Sequence, residues 1–156
     1  LPRLSEAESV IGQGLGVLEG LVEPRACGYG YQVKPGKIDS VIEALHNSSG
    51  CLTSANAAGF SAFEAALRQE LFSSASALKG QIEGPITLVT YLFYRDRPFL
   101  ADASLFAAVA FHIALIVCWQ IERLSVFGLP VLMFLDEPAF VPRGCRATRD
   151  LLGAND

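Results

Sequence analysis

The 156-residue chain is 51% hydrophobic and 18% charged, with twelve basic against sixteen acidic residues and a net charge of -4. That length suits one domain with a sizeable core, and without a Lys/Arg cluster to neutralise a run of phosphates the composition excludes nucleic acid as a partner. The positive mean hydropathy of +0.37 requires deep burial, or an apolar surface that meets a partner or a membrane.

Cys27, Cys51, Cys118 and Cys145 are widely spaced. They form no CxxC and no Cys-x-His element, so they read as isolated reduced thiols in a cytoplasmic protein. The chain opens LPRLSEAES, with neither an initiator Met nor a basic-then-apolar leader, and so is expected to be a piece of a longer product.

In chain order, Val10, Ile11, Leu15, Leu18 and Leu21 fall near helical spacing from Glu6 to Leu21, although Gly12, Gly14 and Gly16 make that helix irregular. CGYGYQVKPGK, residues 27–37, reads as a loop or short hairpin, and its glycines lack the Lys-Ser/Thr of a phosphate loop. Ile38, Val41, Ile42 and Leu45 share one face and predict a short helix over 38–47. A second helix is expected after Ser54 or Asn56 as cap, carrying Phe60, Phe63, Leu67 and Leu71.

The pattern then changes period. Leu78, Gly80 and Ile82 alternate with Lys79, Gln81 and Glu83, which predicts a strand halted at Gly84-Pro85, with Pro85 opening a short helix. RDRPFLAD follows as a loop. A long helix runs from about Asp102 to Phe127, closed by Gly128, and VLMFL is a strand whose unbroken apolar run suits cover on both faces. A further helix is expected from Ala147 to Leu152. Residues 1–75 are thus mainly helix and loop, and 76–156 form two β/α units.

ASLFAAVAFHIALIVCWQI, residues 103–121, has no formal charge and is long enough to cross a bilayer. It also carries Ser104, His112 and Gln120, with no basic cluster at either end and no paired aromatic belts, which favours an enclosed core helix over a membrane span. His112 has no second ligand at helical spacing and reads as a satisfied core histidine.

In parallel β/α architectures ligands bind at the carboxyl ends of strands. Gln81, Glu83, Gly84 and Pro85 lie after the first strand; Asp136, Glu137 and Pro138 lie after the second. Because consecutive strand residues point to opposite faces, one carboxylate of the Asp136-Glu137 pair faces the cavity, and the other pairs with a loop or caps a helix.

KGQIEGPITLVTYLF together with WQIERLSVFGLPVLMFLDEPAF resembles the catalytic barrel of the cobalamin-independent methionine synthase family, with weaker likeness in LPRLSEAES and SANAAGFSAFEAAL. The resemblance covers about two thirds of the chain. It implies an α/β fold, a portion of a (β/α)8 TIM-type barrel with an irregular helical amino-terminal region, and a methyltransferase that accepts a homocysteine-like thiol. It places Asp136 on the substrate amino group, Tyr91 beside a methyl donor (folate or a corrinoid protein) where the family carries Trp, and Thr87 and Gly84 at the turn between; Gln81 and Glu137 join the expected substrate-binding set from their place at the strand ends.

The family's zinc is held by a His-x-Cys pair, a Glu and a later Cys on strands beyond the Asp-Glu-Pro element, and no residue of this chain is assigned as a ligand. The resemblance therefore implies a homo-oligomer or a missing barrel half. Alternatives are a non-catalytic binding or scaffold barrel that lacks the metal centre, and a decarboxylase-like member of the same superfamily, for which Arg95 and Arg97 are thin support.

Overall fold

Ser9 starts the first helix by accepting the Gly12 amide proton on its hydroxyl oxygen at 2.9 Å. The helix α1 spans only Val10–Leu15 and tightens into a 3₁₀ turn at Gly16–Leu18, as the glycine spacing foreshadows. The computed structural model describes residues 9–26 and 28–140. The expected start at Glu6, the expected helix from Ala147 to Leu152, and Cys27 and Cys145 lie outside them.

Strands β1 (Val22–Pro24) and β2 (Tyr31–Val33) make a hairpin with Val22 opposite Val33, which begins ahead of the 27–37 stretch expected as a loop or short hairpin. Helix α2 covers Ile38–His46 and buries Val41 and Leu45, the face its periodicity marks. Helix α3 covers Ala58–Arg68, but neither Ser54 nor Asn56 caps it: Ala57 occupies that position without a side-chain hydrogen bond. Asn56 instead turns its Oδ1 back to the Thr53 amide at 2.8 Å, closing the preceding turn.

Strand β3 (Leu78–Glu83) runs into helix α4 (Pro85–Tyr91) across Gly84, with Pro85 in the first turn. The expected loop over RDRPFLAD is instead a tight hairpin of β4 (Leu92–Tyr94) and β5 (Arg97–Pro98) followed by a 3₁₀ turn at Phe99–Ala101. Its two corner residues, Arg95 and Asp96, both take positive φ, which suits the tight hairpin turn but is uncommon for residues other than glycine. Arg25 supports that corner, stacking 3.8 Å from the Phe93 ring centroid and pairing with Asp96 at 3.1 Å.

Helix α5 (Ala103–Ser125) is capped by Asp102, whose Oδ1 accepts from the amides of Ser104 and Leu105. It reaches strand β6 (Val131–Asp136) through Gly128, which takes the expected left-handed conformation.

The fold is mixed α/β. One sheet has the order β1-β2-β4-β5, with β2 and β4 parallel; the other is the parallel pair β3-β6, in register from Leu78 opposite Val131 to Glu83 opposite Asp136. Both sheets are small and open, so no TIM-type barrel is formed among the described residues. The expectation that β6 is covered on both faces also fails: Leu132, Phe134 and Leu135 are 52%, 47% and 51% exposed. The reason is pairing, since among the described residues β6 has β3 as its only strand partner and packs on α5 alone of the helices it substantially meets.

The main core joins Leu15, Leu18, Val41, Leu45, Ile82, Leu88, Val109, Ile113 and Ile116, with α5 as its spine. A smaller cluster around Leu67, Leu78 and Leu124 seats α3. Helix α5 is long and apolar enough to cross a membrane by length and composition, a test that core helices also pass. Its buried side carries two of the three polar residues singled out in the sequence, while Ser104 is exposed. His112 is 3% exposed and Gln120 is 1% exposed, and each is hydrogen-bonded to backbone of another segment.

Candidate functional site

The carboxyl ends of β3 and β6 open together because the strands are parallel and in register, so Glu83 and Asp136 stand side by side. The Gly84 amide donates to the Asp136 carbonyl at 2.8 Å, which locks the bend after β3 to the end of β6. A cavity of about 430 Å³ lies there, lined by Glu83, Leu135, Asp136, Glu137 and Pro138.

The two adjacent carboxylates divide their roles. Glu137 lies past the end of β6 and turns to the start of α4: its Oε1 accepts from the Ile86 amide at 3.1 Å, and its Oε2 accepts from the Thr87 amide and hydroxyl, both at 2.7 Å. A carboxylate there satisfies amides that no helical carbonyl can reach and complements the positive end of the helix. Gly84 makes room for this contact, since a Cβ at that position would fall 2.1 Å from Glu137 Oε1. Thr87 is buried and also accepts the Ala139 amide at 3.3 Å, so it pins the turn after β6.

Asp136 is half-buried and its Oδ2 accepts from the Gln81 side-chain amide, two residues before Glu83 on the same face of β3. Glu83 is 2% exposed, and its Oε2 is buried with no hydrogen-bond partner among the described residues. Burial first, then the negative charges of Glu137 and Asp136, push its pKa up to about 7. Three carboxylates thus converge on one opening, one of them committed to the helix and one poised between its charged and neutral forms.

Of the six residues expected at a binding site, Gln81, Gly84, Thr87, Asp136 and Glu137 are brought together. Tyr91 is not: it ends α4, and its ring packs edge-on against Tyr29 at 5.2 Å. Glu83 belongs to the mouth as fully as Asp136. The signal available in the sequence was its place at the last position of a strand whose other outward residues are polar.

Among the described residues no group of three His, Cys, Asp or Glu side chains is placed to hold a metal ion. His112 has both ring nitrogens engaged, and Glu137 is saturated by α4.

A larger cavity, of about 630 Å³, lies between the α1 segment, the 47–56 loop and α5, and shares no lining residue with the strand mouth. Volume alone would favour it. The unpaired buried carboxylate and the concentration of charge favour the strand mouth as the place where a polar small molecule is gripped. No protein-family model, curated protein or solved structure matches this chain.

Proposed function

We propose that the mouth formed by Glu83 and Asp136 binds the ammonium group of a small amino-acid ligand, and that the chain is a methyltransferase-like β/α protein whose acceptor is a homocysteine-like thiol. The observation that carries the ammonium reading is the orphaned Oε2 of Glu83 beside the Asp136 carboxylate. A cation placed between them supplies the missing hydrogen-bond donor and offsets the burial and the neighbouring negative charges that raise the Glu83 pKa. A bound anion would compound that repulsion.

The thiol half of the reading rests on the likeness of the Gly-Pro-x-Thr and Asp-Glu-Pro elements. The barrel reading draws support from the parallel β3-β6 pair with two helices between, and from the outward apolar residues Leu132, Phe134 and Leu135. Ala107, Phe111, Ala114, Cys118 and Ile121 of α5 form an exposed stripe at alternating spacings of four and three, the spacing of a helix that packs on a neighbour. Further β/α units, in the same polypeptide or a second copy, would cover both surfaces.

Calorimetric titration of the full chain tests the reading. Homocysteine and methionine should bind, 4-mercaptobutyrate, which lacks the amine, should bind at least ~10-fold more weakly, and Asp136→Asn should abolish the difference. Equal binding of the amine-bearing and amine-free thiols would remove the ammonium site. Binding of methionine but not of homocysteine would keep the ammonium site and remove the thiol acceptor.

A further inference from the structure

His112 lies in the middle of α5, and its two ring nitrogens meet different kinds of partner. Nε2 faces the Gly14 carbonyl oxygen at 3.0 Å, and a carbonyl can only accept, so the proton of the neutral ring sits on Nε2. Nδ1 is then an acceptor, and the Ser48 hydroxyl donates to it at 2.7 Å. Burial holds the imidazole below its ordinary pKa, partly offset by the bond to Gly14, so the basic form prevails at neutral pH.

The segment that carries Ser48 is held against α5. Gly50 has φ +69°, and a Cβ there would lie 2.4 Å from the Leu115 carbonyl, so the 48–50 turn rests directly on helix backbone as only glycine allows. The Gly50 amide donates to Ser48 Oγ at 3.0 Å, which orients the hydroxyl while leaving its proton for His112. Ser48 and His112 both line the 630 Å³ cavity, along with Leu15, Val17 and Leu52. Asn56 also lines it, and its Oδ1 is taken by Thr53 while its Nδ2 has no hydrogen-bond partner among the described residues.

The geometry points to a second, independent activity: Ser48 is a nucleophile, His112 its general base and the Gly14 carbonyl the group that positions the ring, in a site that hydrolyses carboxylic esters with a small apolar acyl group. The constellation is the nucleophile, base and orienting acceptor that such chemistry requires, with a backbone carbonyl in the third place. Ser48 Oγ forms a bond to the acyl carbon as its proton passes to His112 Nδ1. That proton then goes to the departing alkoxide as the ester C–O bond breaks, releasing the alcohol and leaving the acyl group on Ser48. Water attacks the acyl carbon, its proton returning through His112 Nδ1 to Ser48 Oγ, and the carboxylic acid leaves. Asn56 Nδ2 is the candidate donor to the carbonyl oxygen as it becomes negative. The apolar lining selects the acyl chain. Nothing here depends on the methyl-transfer reading.

The test uses the full chain with p-nitrophenyl acetate and p-nitrophenyl butyrate, and with a fluorophosphonate that reacts only with activated serines. Wild-type protein should carry the fluorophosphonate on the peptide containing Ser48, located by mass spectrometry. Ser48→Ala should lower ester turnover by ~10²-fold or more, and Ser125→Ala, at the exposed end of α5, should leave it unchanged. Mapping the adduct on wild-type protein keeps the test decisive even if Ser48→Ala folds poorly. Absence of adduct at Ser48, or ester turnover equal in Ser48→Ala and wild type, overturns the proposal and leaves Ser48 and His112 as a structural tie between loop and helix.

Discussion

The Glu137 carboxylate reaches across the turn after β6 to Thr87, where a single oxygen accepts both the backbone amide and the side-chain hydroxyl at 2.7 Å. This bond joins segments fifty residues apart and sets the angle at which α4 leaves the mouth. Hydrogen bonds to a charged partner contribute more than neutral ones, about 1.5–3 kcal/mol each. Glu137→Gln keeps the shape but turns an NH₂ towards amides that need an acceptor. Its expected cost is about 2 kcal/mol, read as a fall in Tm of roughly 4–8 °C. An unchanged melting curve would show that the contact holds nothing in place.

Glu83 makes stability depend on pH in a defined direction. The folded state keeps its proton up to about pH 7, whereas an ordinary glutamate releases it near 4.5. Between those values the native state binds more protons than the unfolded chain, so this group's contribution falls as pH rises through that window, and its cost is complete above it. Glu83→Gln carries no such penalty. Relative to wild type, the variant should gain stability from about pH 5 to about pH 8, by on the order of 2 kcal/mol. Parallel urea titrations of the two proteins at both pH values provide the measurement, and a constant difference would contradict the raised pKa.

Gln120 acts as a surrogate strand. From α5 its Oε1 accepts the Gln81 amide and its Nε2 donates to the Gln81 carbonyl, both at 3.2 Å, satisfying a backbone position of β3. Gly80, beside it, leaves the room: a Cβ there would lie 3.0 Å from Gln120 Oε1. Replacing Gln120 with Leu leaves that amide and carbonyl without partners at a buried contact. It should destabilise by about 2–4 kcal/mol despite the added apolar bulk. A denaturant midpoint equal to wild type would mean that water takes over both bonds.

Much of this architecture was legible because local physics dictated it. The switch from helical spacing to strict alternation at Leu78 marked β3, Pro85 could stand only in the first turn of α4, and Gly128 could end α5 in a left-handed cap. Strand parity anticipated that Asp136 and Glu137 would part company. The β4-β5 hairpin escaped because its corner places Arg95 and Asp96, rather than glycine or asparagine, at positive φ. Only Arg25, seventy-one residues away from Asp96, shows what helps to hold that corner.

The order of apolar and polar residues was enough to determine the main helices, the strands β3 and β6 and the presence of charge at the end of β6; it predicted α5 enclosed on several sides, whereas the helix leaves the stripe from Ala107 to Ile121 exposed. Those features follow from periodicity and backbone restriction, which act over a few residues. Tertiary structure alone decided that Glu83 is driven towards neutrality, that Gln120 completes β3 and that His112 meets Ser48 across sixty-four residues. Each of those states depends on the desolvation and partners that distant segments bring, and no short-range pattern encodes them.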